Sequence, residues 1–246
     1  MINKDLVKNS FEKNLKTYDD NAVVQKIMAE NLVKMLPDKP YDKVLEIGIG
    51  TGFFTKLLAD RIEYKEFFAN DIVSECSKYL SQVIKGAVFV SGDIEDVIIP
   101  EKLDLVISNA TLQWVSDLGE IFSKLESSMD DGGVFVFSTF GEKNFFELKE
   151  VAGVGLNYLS FNELKTLLEK HFEIVEIREE EEKVYFKRFK DILKHIKLTG
   201  VNGVSGKRYS ITELKELEGK YSAKFKQGKC FELTYNPIYV SVKKKV

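Results

Sequence analysis

Hydrophobic positions along this chain change period as it proceeds. From residue 5 to 36, Leu6, Phe11, Leu15, Val24, Ile27, Met28, Leu32 and Met35 recur at helical spacing and predict one or two helices. The polar stretch Thr17 to Asn21 marks a break between them, and Pro37 and Pro40 close the segment. Short apolar runs then alternate with helical patterns. Strands are predicted at 43–48, 66–71, 87–91, 103–108 and 133–139, and helices at 53–61, 74–84 and 117–129. Asp130 to Gly133 reads as the turn before the fifth strand. Single helices between strands imply right-handed βαβ units and a parallel sheet. Beyond Gly141 the order loosens. A helix is expected over Asn162 to His171 and a strand over Phe172 to Arg178, which Val184 to Phe186 extends after an acidic run. Residues 187–229 read as two helices around the glycine loop Gly200 to Gly206, and Phe231 to Val242 as a last strand. Pro237 inside that strand suits a bulge or an edge position.

The 246 residues fit one α/β domain with an insertion, and a hydrophobic fraction of 44% supplies an ordinary core. A net charge of −3 makes no general claim on nucleic acid or anionic membrane. No apolar run follows the first lysine, and none approaches the length of a membrane span. The two cysteines, Cys76 and Cys230, form no motif. A cytoplasmic protein is the expectation, and a monomer.

The chemistry centres on Val44 to Gly52, where a buried strand breaks into three alternate glycines before a helix. Such a turn lets the backbone approach a ligand and aims helix N–H groups at it. The dinucleotide fingerprint wants its third glycine at the position Phe53 occupies. Glu46-x-Gly48-x-Gly50-x-Gly52 instead resembles the first motif of the class I S-adenosylmethionine (SAM) methyltransferases. Asp71 lies 19 residues beyond Gly52, at the end of the second strand, where such folds place a carboxylate on ribose hydroxyls. A turn Asp capping the next helix is the plainer alternative. In that pattern Asp93 reaches the adenine amino group and Ile94 lies against the ring. Ser108-Asn109 ends the fourth strand beside the glycine turn, without the proline pair that many DNA and amine methyltransferases carry there. Trp114, the single tryptophan, is equally readable as a core residue.

Asn109-Ala110-x-Leu112-Gln113-Trp114 is similar to the signature of the malonyl-acyl-carrier-protein O-methyltransferases, which open one bacterial route to biotin. Phe11-x6-Tyr18-Asp19 with Gln25, Leu193 to Gly200 (Leu-Lys-His-Ile-Lys-x-Thr-Gly) and Leu233-Thr234-Tyr235 resemble further stretches of that family. The resemblance runs from residue 11 to the C-terminus. Ile49 departs from the Cys or Ser of many relatives, and Gly153 and Gly155 make the segment after the fifth strand unusual. The resemblance implies a Rossmann-like fold with a mainly parallel seven-stranded sheet. An N-terminal helical cap (1–40), a core (41–186), a two-helix lid (187–229) and a final strand (230–246) follow from it. It implies a SAM site of Tyr18, Glu46, Gly48, Gly50, Thr51, Gly52, Asp71, Ile72, Asp93, Ile94, Asn109 and Leu112, with S-adenosylhomocysteine as product. No metal is expected. A short acid in a closed pocket needs a cationic or hydrogen-bonding partner, for which Tyr18, His195, Lys197 and Arg208 are candidates, with Gln113 and Trp114 beside them. Lys197 and Arg208 are equally readable as solvent-facing, and His195 as a helix-surface or core histidine.

The residues suit methyl transfer to a carboxylate. With a pKa near ~4, a carboxylate is already the nucleophile at neutral pH, so two histidines and no metal cluster suffice. Alignment and exclusion of water are the remaining needs, and the lid segment suits the second. Residues 187–229 hold twelve Lys or Arg against four Asp or Glu, a face suited to an acidic acyl carrier protein. Solvated lysine-rich helices are the bland alternative, and RNA binding lacks the aromatic interleaving it needs. The competing functions are methylation of a free small acid or ring, and SAM binding without catalysis.

Overall fold

The computed structural model describes residues 2–153, 155–199 and 210–245. Two helices lead. α1 (Lys4–Asn21) is capped by the Asn3 side chain, which accepts from the Leu6 N–H at 3.0 Å, and α2 (Val23–Lys34) follows. The break falls at Ala22, so the polar stretch Thr17 to Asn21 is the last turn of α1. The reason lies in tertiary contact: Asp19 faces inward and bonds the glycine turn rather than solvent.

The core alternates as expected: β1 (Tyr41–Ile47), α3 (Phe53–Arg61), β2 (Tyr64–Asp71), α4 (Ser77–Val83), β3 (Val88–Ser91), β4 (Leu103–Ser108), α5 (Leu118–Ser128) and β5 (Met129–Phe140). Asp130 to Gly133 bulge out of β5, since Leu103 pairs with Met129 while Leu105 pairs with Val134. There follow α6 (Phe146–Ala152), α7 (Phe161–His171), β6 (Phe172–Glu179), β7 (Glu182–Phe186), α8 (Phe189–Leu198), α9 (Ile211–Phe225), β8 (Lys226–Gln227), β9 (Cys230–Tyr235) and β10 (Pro237–Lys244). Gly153, unassigned by the sequence, takes φ +63 and ends α6, its N–H donating to the Lys149 carbonyl.

Seven strands form one sheet in the order β3-β2-β1-β4-β5-β10-β6. Six run in one direction, and β10 alone runs antiparallel, between β5 and β6. Both faces are covered, so successive residues of β4 bury on opposite sides. Leu105 and Ile107 pack with α2 and α3, Val106 with α5 and α7. Strand order reverses between β1 and β4, and the crevice beyond their carboxyl ends is where such sheets bind ligands.

Two expectations need correction. Val184 to Phe186 do not extend β6: β7 pairs with β9 in a separate sheet, β7-β9-β8. The last strand divides at Asn236 into β9 and β10, so Pro237 opens a central strand rather than lying inside an edge one. That position is tolerated because the first residue of a strand can forgo its N–H. The segment expected to form a lid is therefore α8 and α9 packed on a small sheet, through Phe189, Tyr221 and Phe231. Among the described residues no helix is long and apolar enough to cross a membrane.

Candidate active site

The glycine turn after β1 shapes one wall of the crevice. Gly48 takes φ +78, and a Cβ there would lie 2.1 Å from the Thr111 hydroxyl, so only glycine lets the loop after β4 close on the turn. Gly50 takes φ +55 and faces open space, leaving its backbone accessible to a ligand. Its N–H donates to Asp71 Oδ2 at 2.8 Å, while the Val73 N–H donates to Oδ1 at 2.8 Å. Asp71 thus holds the turn that it faces. Burial pushes its carboxyl up and these two backbone donors oppose that shift.

Gly48, Gly50, Thr51, Asp71, Ile72, Asp93, Ile94 and Asn109 all line this crevice, which encloses about 1100 Å³ including its open mouth. The acids, the open glycine backbone and the apolar side chains of Ile72, Val73 and Ile94 fit a nucleoside with an amino-acid tail. Helix α1 roofs the space with Val7, Phe11, Leu15 and Tyr18. It is latched at both ends. Lys4 Nζ lies 2.9 Å from Asp93 and also bonds Glu95, and Thr51 Oγ1 donates to Asp19 Oδ1 at 2.6 Å.

Three residues expected at the cofactor lie outside the lining. Glu46 is buried behind the turn, where desolvation pushes its carboxyl up to about 8 against the opposing Thr55 hydroxyl. Gly52 faces Tyr79 and Val83 of α4, so its φ of +76 serves the entry into α3. Leu112 points into the core under α5. Asn109 lines the crevice but its amide is engaged within the fold: Nδ2 donates to the Gln25 carbonyl at 3.0 Å and Oδ1 accepts from Ser138 at 2.7 Å.

Behind Tyr18 and Trp114 lies a smaller inner cavity. Gln25, Gln113, Asn144, Tyr158, Thr199 and Tyr235 supply its polar lining, with Phe11, Phe140 and Phe145 among the apolar walls. Phe11 meets Trp114 edge-on at 5.9 Å. Phe11, Tyr18, Gln25, Ala110 and Trp114 line both spaces, so the two adjoin. Gln113 donates to the Ala110 carbonyl at 2.6 Å. Burial raises the Tyr18 and Tyr235 hydroxyls, keeping both protonated donors.

The remaining acceptor candidates sit elsewhere. His195 touches the cavity only through Tyr235, whose hydroxyl lies 2.6 Å from Nε2, and burial lowers the imidazole pKa so that it is neutral at pH 7. Lys197 is exposed, and its carbonyl accepts from Asn14 of α1 at 3.1 Å. It faces away because α8 turns its apolar stripe, Phe189, Ile192 and Ile196, toward the core. Arg208 lies outside the described residues. Sequence reasoning missed Thr111, Asn144 and Tyr158, and gave Gln25 and Tyr235 no role. The one available signal was Gln25 interrupting the apolar stripe of α2, between Val24 and Met28.

A family model described as a methyltransferase domain matches residues 45–137. The chain is 40% identical over 240 residues to the malonyl-[acyl-carrier protein] O-methyltransferase of Calditerrivibrio nitroreducens, covering 96% of each chain. It is 35% identical to the protein of that name from Chlorobium luteolum, covering 100% of this chain and 97% of the relative. Among solved structures, the N-methyltransferase NodS of Bradyrhizobium japonicum, bound to S-adenosylhomocysteine, superposes with a TM-score of 0.59 at 14% identity. That match covers 98% of this chain and 99% of NodS, a likeness of fold. Near-complete coverage of these relatives and a glycine-turn crevice at the sheet's switch point agree. The chain is a SAM-dependent methyltransferase and belongs to the malonyl-[acyl-carrier protein] O-methyltransferase family.

Proposed function

We propose that the chain methylates the free carboxylate of malonyl-[acyl-carrier protein], an early step toward biotin. The observation carrying this reading is the inner cavity beside the cofactor crevice, which no charged side chain lines among the described residues. When bound, SAM supplies an electrophilic methyl on a sulfonium. Gly50, Asp71 and Asp93 would hold its amino-acid, ribose and adenine ends, against Ile72 and Ile94. A carboxylate needs no base, and neither histidine lines the crevice or the cavity: His195 reaches the cavity only through Tyr235, and His171 pairs with Glu126 at 2.8 Å on α5. What the chain contributes is alignment and exclusion of water, with α1 latched over one space and Thr199 of the lid bordering the other.

The lid supports a carrier-borne acyl group. Lys187, Lys190, Lys194 and Lys197 on or beside α8 are exposed, whereas α9 balances Lys215, Lys220 and Lys224 with Glu213, Glu216 and Glu218. The α8 lysines form a basic surface suited to steering an acidic carrier protein. The test is methyl transfer from labelled SAM to malonyl-carrier protein, beside malonyl-coenzyme A, free malonate and acetyl-carrier protein. Base-labile labelling of malonyl-carrier protein is expected. Labelling of free acids in preference would reject the carrier, and labelling of none would reject the reaction.

A further inference from the structure

Buried polar atoms in folded chains are nearly always hydrogen-bonded, and each orphan is costly. Gln25 Oε1, Gln113 Oε1 and Trp114 Nε1 are buried without a partner, and all three side chains line the inner cavity. Gln25 and Trp114 are only 6% and 7% exposed and also line the cofactor crevice. They therefore stand at the junction where a donor methyl and an acceptor oxygen must meet. Backbone geometry marks the same place. Ala110 and Phe145, two of three described non-glycine residues with left-handed φ, line this cavity at +48 and +55. Such conformations persist where the surroundings over-determine them, and they concentrate at ligand sites.

We propose that Gln25 and Trp114 bind the acceptor's free carboxylate at this junction, through the Gln25 amide and the indole N–H. The inference rests on the carboxylate-methylation reading above and names the groups that hold that carboxylate. An indole N–H is a donor only, and a carboxylate an acceptor only. A half-turn of the Gln25 amide exchanges oxygen for NH2 and presents a second donor, since the two ends are isosteric.

Neutral donors suit the reaction better than a cation. As a carboxylate lone pair forms the O–C bond, the C–S bonding pair withdraws onto sulfur, and both formal charges disappear. A fixed cation would hold the carboxylate more tightly before this step than during it, and so slow it. Amide and indole donors orient the oxygen with less of that penalty. A thioester without the carboxylate leaves both donors unmatched, which gives the site its means of rejecting acetyl groups.

Trp114 is the chain's only tryptophan, so its emission reports on the proposed contact directly. The experiment titrates the full chain, holding S-adenosylhomocysteine, with malonyl-pantetheine and acetyl-pantetheine. A saturable change in emission is expected with the malonyl compound and none with the acetyl compound. Gln25→Met keeps the volume and removes the amide. It should weaken malonyl binding about tenfold or more, with S-adenosylhomocysteine affinity within about twofold. Trp114→Phe should lower kcat/KM for the malonyl acceptor about 10- to 100-fold and leave the KM for SAM in place. Equal responses to the two thioesters, or wild-type malonyl parameters in both variants, would overturn the proposal. Methyl transfer without those effects sinks the site and leaves the function standing. A malonyl-specific emission change without transfer does the reverse.

Discussion

The cofactor crevice and the inner cavity share a wall but are built in opposite ways. Most of the crevice comes from consecutive βα units, with Gly48, Gly50, Asp71 and Asp93 each at the carboxyl end of a neighbouring strand. Its polar groups already bond one another, as the Gly50 N–H does with Asp71. The cavity draws its side chains from α1, α2, the segment after β4, the end of β5, the loops before α6 and α7, the end of α8 and β9. Three of its buried polar atoms, Gln25 Oε1, Gln113 Oε1 and Trp114 Nε1, are left without partners. A preformed, self-satisfied half suits a ligand that every turnover shares. The half with unpartnered polar atoms leaves room for a substrate to complete its bonds.

The sharpest way to break this contrast is Gly48→Ala. Its Cβ would enter the Thr111 hydroxyl in a backbone region that disfavours alanine, a cost of about 3 kcal/mol or more by steric overlap and φ together. Calorimetry should find SAM binding abolished, and a thermal melt should find the fold weakened. Gly50→Ala meets open space and should cost only the backbone term, about 1–2 kcal/mol.

Asp71→Asn comes next. It keeps the shape and removes the charge that accepts from the turn, and SAM affinity should fall about 10- to 100-fold. The malonyl KM measured at saturating SAM should stay within about twofold, because Asp71 does not line the cavity. A matching loss on the acceptor side would show that the two halves are not separable.

Glu46 yields a pH prediction. Its folded pKa of about 8 exceeds its ordinary value of 4.5, so the folded chain binds a proton that the unfolded chain has released. Stability should therefore fall as pH rises from about 4.5 to about 8. In Glu46→Gln that contribution should vanish, so denaturant midpoints should gain most on wild type near pH 8. A variant with an unchanged pH profile would place the titration elsewhere.

The smallest effect should come from the surface. Lys190→Glu with Lys194→Glu should raise the KM for malonyl-carrier protein about three- to tenfold at low salt, with malonyl-pantetheine unaffected. The difference should shrink as salt rises through the physiological range. A loss equal for both acceptors would remove the lid from carrier docking.

The amino-acid sequence by itself determined the parallel core, the glycine cradle and the acids that face it. Each depends on residues close in sequence: alternating apolar runs, glycines that need positive φ, and an acid one βα unit downstream. The placing of Gly52 and Leu112 was not legible, because adjacent residues of one turn point to opposite sides of the sheet. Nor were the exposed Lys197 or the division of the last strand at Asn236. Those follow from which surface α8 buries, and from a second sheet whose strands lie some fifty residues apart in the chain. Gln25 reads as a blemish in a helix until Tyr235 and Trp114 are brought beside it. Only tertiary packing decided the inner cavity, because its lining side chains come from segments far apart in the chain, from Phe11 to Tyr235.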